Sequence, residues 1–262
     1  ILVNVAHHHP DDVANIAATA AYYYPEQAAQ IGLYLSRALP DSQLDIISQT
    51  AGSAPQASSR LAEYMCQEIH SQRLNPMLTS KALIQLTQQM LQQAPLQATA
   101  IATILAQEVP EFMPEMVAEI ALLAAEAAPE QRIEAATSII QEVPEASVEV
   151  ANSVAESIAA SPEQELHTFL ASEENENYLG EAAEFVAAVA QETPEQAAEV
   201  ATVLVESVPE DAGQVVESLA QVDPELVEEW VEEIVEAVPA VADEMNEAMA
   251  TTLANEEQPS TV

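Results

Sequence analysis

Positive charge is what this chain lacks most: 5 Lys and Arg stand against 44 Asp and Glu, a formal net charge of −39 at pH 7. Five cations cannot neutralise a run of phosphates, which argues against nucleic acid as a partner. Anionic membrane surfaces repel such a chain for the same reason. Long apolar runs are missing too: no stretch approaches the roughly 18 residues of a transmembrane helix, so no membrane insertion is expected. With 1 cysteine there is no internal disulfide, and the redox compartment stays undecided. Aromatic residues number 10 (3 Phe, 1 Trp, 6 Tyr) and glycines 4. Glycine-rich phosphate loops, G-x-G-x-x-G, H-E-x-x-H and G-x-S-x-G are all absent, so no enzyme class is indicated.

Alanine and proline fill that space. The 262 residues include 49 alanines, more than a third of the apolar fraction, so buried layers are expected to be thin and built from small side chains. The 16 prolines carry a period. Pro10, Pro25, Pro40 and Pro55 are 15 residues apart; Pro95 and Pro110 keep the step, as do Pro114, Pro129 and Pro144, and Pro194, Pro209, Pro224 and Pro239 resume it. The register slips between these blocks, and Leu179–Gly180 occupies one missing proline slot. This is a divergent tandem array.

Stacking PEQAAQIGLYLSRAL (25–39), PEQRIEAATSIIQEV (129–143), PEQAAEVATVLVESV (194–208) and PELVEEWVEEIVEAV (224–238) shows what each unit is. Counted from proline, apolar residues recur near +3, +6, +7, +10 and +14; in the last unit these are Val227, Trp230, Val231, Ile234 and Val238. That spacing draws one stripe along an α-helix. Proline suits the first turn, where its missing N–H has no partner anyway. The acid that usually follows it lies at the positive end of the helix dipole. Asn75, Ser161, Thr193 and Asp223, each before a proline, are candidate N-caps. A single long helix kinked at every proline would lose about 3 kcal/mol at each one. The array therefore predicts an all-α fold, an α-solenoid or superhelix of short antiparallel helices, about 15 residues per unit with proline at the helix starts. The scarcity of glycine at the corners is at odds with the left-handed C-cap that such corners usually take.

Charge divides this array. Residues 1–110 carry 8 acids and 4 bases and are rich in Gln, Ser and Thr; residues 111–262 carry 36 acids and 1 base, Arg132. The strongly acidic repeats run over 111–248, with 161–181 as an irregular joint and 249–262 as a polar tail expected to fray. Carboxylates flank several corners: Glu108 and Glu111, Glu142 and Glu145, Glu192 and Glu195, Glu206 and Glu210. Hard oxygen ligands suit Ca²⁺, so these corners are candidate weak divalent sites, although no fixed-ligand motif accompanies them. A solvated face that keeps an alanine-rich protein soluble is the plainer alternative.

Two clusters precede prolines at the same place in the repeat: His7, His8 and His9 before Pro10, and Tyr22, Tyr23 and Tyr24 before Pro25. Adjacent helical side chains diverge by about 100°, so the histidines do not converge on one metal ion. The tyrosines form a candidate contact surface, since aromatic residues are enriched in interfaces. ILVNVAHHH (1–9) aligns with IAATAAYYY (16–24), the second half of a unit. An end unit without its first half leaves an apolar face, with Ile1, Leu2, Val3 and Val5 as contact residues. Cys66, in RLAEYMCQEIH with no base nearby, reads as a small core residue.

These features point to a non-catalytic structural protein that assembles with copies of itself into a filament, lattice or surface layer by end-to-end stacking. The alternative is a monomeric acidic scaffold for a basic protein or divalent cations. The acidic, lysine-poor composition suits an extracellular, cell-surface or high-salt setting.

Overall fold

Proline and the residue in front of it build the repeat. In the computed structural model, which describes residue 8 and residues 12–71, 76–109, 113–159 and 180–256, nine 3₁₀ turns each start on a proline and lead into an α-helix. The unit is one corner residue, a three-residue turn and, in its commonest form, an eleven-residue helix: Tyr24, Pro25–Gln27 and Ala28–Ala38, for example. Before each of the nine turns the corner residue has φ between −142° and −122° and ψ between 60° and 77°. Proline disfavours the helical conformation in the residue before it, so the chain leaves the helix there without a left-handed residue. The corner N–H closes the last helical turn and its carbonyl opens the next: Tyr24 N–H donates to Ala20 O at 2.9 Å, and Gln27 N–H to Tyr24 O at 2.9 Å. Glycine-free corners are thus explained, and none of the four glycines has positive φ.

Among the described residues there are fourteen α-helices and no strand. The first seven are α1 (Val13–Tyr23), α2 (Ala28–Ala38), α3 (Gln43–Ser53), α4 (Ser58–Ser71), α5 (Pro76–Gln93), α6 (Ala98–Gln107) and α7 (Pro114–Ala127). The 40-residue interval from Pro55 to Pro95 holds the longer α4 and α5, with Pro76 as the first residue of α5. Then come α8 (Arg132–Glu142), α9 (Ser147–Ala159), α10 (Glu181–Glu192), α11 (Ala197–Ser207), α12 (Ala212–Val222), α13 (Val227–Ala237) and α14 (Ala242–Glu256). Gly180, with ordinary extended backbone, starts α10 where a proline is missing. Two expected caps have different fates. Asp223 Oδ1 accepts from the N–H groups of Glu225 at 2.9 Å and Leu226 at 3.3 Å. Thr193 does not cap; its hydroxyl donates back to Val189 O at 3.2 Å. Asn75 and Ser161 lie outside the described residues.

Two compact units divide the chain, residues 1–135 and 136–262. In the first, α1, α3, α5 and α7 pack in succession as one layer, and α2, α4 and α6 as the other. In the second, α9, α11 and α13 form one layer and α10, α12 and α14 the other. Consecutive helices also touch from α1 through α7 and from α9 through α14. This is the all-α helical-repeat solenoid that the period predicts. In the first unit the turns Pro25–Gln27, Pro55–Ala57 and Pro95–Gln97 touch in succession, so every second corner shares an edge and consecutive helices run antiparallel. Thr99 Oγ1, donating to Gln131 Oε1 at 3.5 Å, brings the Pro129 corner to the same edge.

The stripe is the core. Val13, Ala17, Leu35 and Ile46 cluster in the first unit, with Ile31 and Leu39 packed against them. Phe185, Val189, Leu204, Val216, Trp230 and Ile234 are buried in the second. Buried alanines, such as Ala17, Ala21, Ala51, Ala151 and Ala201, let helices approach closely. The compact units part at 135/136, not at the charge change near residue 110, because packing defines them while charge sits on their surfaces. The 161–181 joint lies almost wholly outside the described residues. α14 continues to Glu256, into the polar segment that starts at 249, and residues 257–262 lie outside the described residues. Thr251 and Thr252 satisfy their hydroxyls on Glu247 O and Ala248 O inside that helix. Among the described residues no helix is long and apolar enough to cross a membrane.

Candidate functional site

Exposed apolar side chains gather in the first unit. Tyr22, Tyr23 and Tyr24 end α1 and form the corner into α2, and they are 69%, 71% and 61% exposed. The rings of Tyr22 and Tyr23 meet edge to face, with centroids 5.4 Å apart. Tyr24 occupies the +14 slot of its unit. The same slot buries Ala54, Ala128 and Val208, so the corner is sized for a small side chain and a tyrosine stands out into solvent. Leu96, in the turn Pro95–Gln97, shares that edge two corners along and is 69% exposed. Tyr34, on α2, is exposed as well. Tyr34 at +9 and Leu96 at +1 fall between the stripe positions, a sequence signal that was there to be read. Ile1, Leu2, Val3 and Val5 lie outside the described residues.

The flanking carboxylates separate into two groups. Glu142 ends α8 and Glu145 sits in the turn Pro144–Ala146; Glu192 ends α10 and Glu195 sits in Pro194–Gln196. Gln141 Nε2 donates to Glu192 Oε2 at 3.2 Å, and Ser147 Oγ to Gln196 Oε1 at 2.8 Å, so these two corners are neighbours on one edge of the second unit. Glu206 and Glu210 lie at the opposite end of α11. There Asp211, half-buried beside Gly180, has its carboxyl pushed above the usual range by burial first and then by the carboxylates of Glu210 and Glu244. Asp211 was not singled out from sequence, because Glu244 lies 33 residues on, in the first turn of α14, and reaches it only once the layers stack. Glu108 caps α6, and Glu111 is outside the described residues. Among the described residues, no three His, Cys, Asp or Glu side chains are grouped so as to hold a metal ion. Of the histidine triplet only His8 is described, and it is exposed.

Acid density peaks on α13. Its inward stripe is Val227, Trp230, Val231 and Ile234, while Glu228, Glu229, Glu232, Glu233 and Glu236 face solvent. The second unit as a whole has 30 acidic residues and no basic one; the first has 14 acidic and all 5 basic. Two of those cations are engaged in the fold. Arg37 Nε donates to the Tyr64 hydroxyl at 3.0 Å, and buried Arg132 donates to Pro129 O at 3.2 Å. Lys81 is exposed on an open groove of about 410 Å³ between α5 and α7, whose other walls are Ile84, Met113, Glu115, Met116 and Glu119. Cys66 is fully buried in α4, and its thiol is pushed up to about 12 by burial and then by the Glu108 carboxylate.

Comparison with protein-family models, curated proteins and solved structures yields no match to this chain.

Proposed function

We propose that this chain is a non-catalytic structural repeat protein that assembles with copies of itself into a larger array. One observation carries the reading. All five exposed large apolar residues found among the described positions belong to the first unit, which holds every cation and a net charge of −9, against −30 on the second. Two copies approaching through their second units meet like charge at every corner. Approaching through their first units, they bury tyrosine and leucine and meet little repulsion. A contact of that kind survives moderate salt, because screening weakens repulsion and leaves apolar burial intact. The test is sedimentation velocity over a concentration series, with negative-stain microscopy in Ca²⁺ and in EDTA. Growth with concentration supports assembly, and its loss in EDTA assigns cations a bridging role at the acidic corners. A monomer at every concentration in both conditions sinks the reading.

The base-free second unit and the glutamate face of α13 favour a second reading, an acidic scaffold that holds a basic protein or divalent cations. It predicts that a lysine-rich peptide binds the monomer and is released steeply as salt rises.

A further inference from the structure

The exposed edge of the first unit is complementary to itself. Four corners run along it in order, at Pro25 (the tyrosines), Pro55, Pro95 (Leu96) and Pro129 (Glu130), and the contact argued here uses the first three. The three turns read PEQ, PQA and PLQ, so Glu26 is their one charged residue. The remaining polar groups are tyrosine hydroxyls and exposed amides such as Gln56 and Gln93. Each of these both donates and accepts hydrogen bonds, so it can pair with its own kind. An acidic or basic stripe cannot do this.

We infer that a second copy of this chain docks on this edge in an isologous, antiparallel contact: Tyr22, Tyr23 and Tyr24 of each copy cover Leu96 of the other, with the two-fold axis at the Pro55 corner. The inference rests on the assembly reading and names one of its contacts, the two-fold one; an isologous pair is closed, so growth past the dimer takes a second surface. In an isologous contact residue i meets j while j meets i, which the order tyrosine, glutamine, leucine satisfies when it is reversed. The same register sets the two Glu26 carboxylates at opposite ends of the contact, away from each other. The area is adequate. At roughly 200 Å² per tyrosine, the three exposures amount to roughly 400 Å² per copy. Leu96 and the glutamines extend this toward the roughly 800 Å² per partner of a stable interface.

The experiment uses the full chain with Cys66→Ala, carrying either Tyr24→Cys or Leu96→Cys. Mixed under mild oxidation, the two proteins are expected to form the disulfide-linked mixed dimer well ahead of either like pair. In parallel, Tyr22→Ser/Tyr23→Ser/Tyr24→Ser is expected to weaken self-association roughly a hundredfold, with Tyr34→Ser near wild type and helicity by circular dichroism unchanged in both. If wild type associates and the triple variant associates equally, the edge contact is wrong while assembly stands. Like pairs cross-linking as fast as the mixed pair overturns the antiparallel register. A wild type that stays monomeric removes the assembly reading itself.

Discussion

A Cβ placed on Gly52 would lie 2.8 Å from the carbonyl oxygen of Gln93 and 3.0 Å from its Cβ. Gly52 is in the last turn of α3 and Gln93 ends α5, so the absence of a side chain sets how closely these layer-mates approach. The obstacle is backbone, which does not swing aside. Gly52→Ala is therefore expected to destabilise by about 1–3 kcal/mol, the usual cost of overpacking, although alanine is the better helix former. Gly213→Ala is the control. Its Cβ meets nothing nearer than Glu244 Oε1 at 3.5 Å, an ordinary contact. It should stabilise by about 0.5–1 kcal/mol through helix propensity alone. Urea melts of the two variants beside wild type check the pair. Equal and positive changes would mean that α3 and α5 do not approach this closely.

Asp211 links stability to pH. Its carboxyl holds its proton to higher pH in the folded chain than in the unfolded one, because burial and the nearby Glu210 and Glu244 carboxylates oppose ionisation. The folded state thus binds the proton more tightly, and this group lowers stability as pH rises through its folded-state value. Below the unfolded value the effect is gone. The Asp211 side chain makes no cap hydrogen bond to α12, so Asp211→Asn removes charge without removing a cap. The variant is expected to melt about 1–3 °C higher at pH 7, with the gain shrinking toward pH 4. Thermal melts across that range decide it; a gain independent of pH would assign the effect to something other than the carboxylate.

How much of this was legible depends on what each residue answers to. The helices and their starts follow from a local rule, proline at the first turn with a stripe behind it, and that rule is written in every unit. The corners were legible in place but not in form. The usual left-handed glycine cap is at odds with a chain so poor in glycine, and the structure shows why none is needed: the residue before proline makes the bend with negative φ and no special side chain. Which corners become neighbours was not legible, because Gln141 and Glu192 are 51 positions apart and meet only once the layers have stacked. The tyrosine corner was readable as a cluster, but its exposure depended on a slot that fits alanine or valine. Thr193 shows the limit of residue type alone: its hydroxyl found a carbonyl in its own helix before it could serve the next one.

Cys66 supplies a probe of the first unit's opening. The thiol is fully buried against α6, and the Glu108 carboxylate adds to the desolvation that raises it to about 12 from the ordinary 9.0. At pH 8 the folded chain then holds roughly one thiolate in ten thousand, and the thiolate is the species that reacts. Alkylation by iodoacetamide is expected to be at least about a thousandfold slower in buffer than in urea, because burial adds to the low thiolate fraction. The linkage has a definite sign. Between pH 9 and the folded value the unfolded thiol ionises and the folded one does not, so stability falls as pH rises, and Cys66→Ala should flatten that part of the profile. Labelling in buffer at the urea rate would place the thiol in solvent and would undo the packing of α4 against α6 described above.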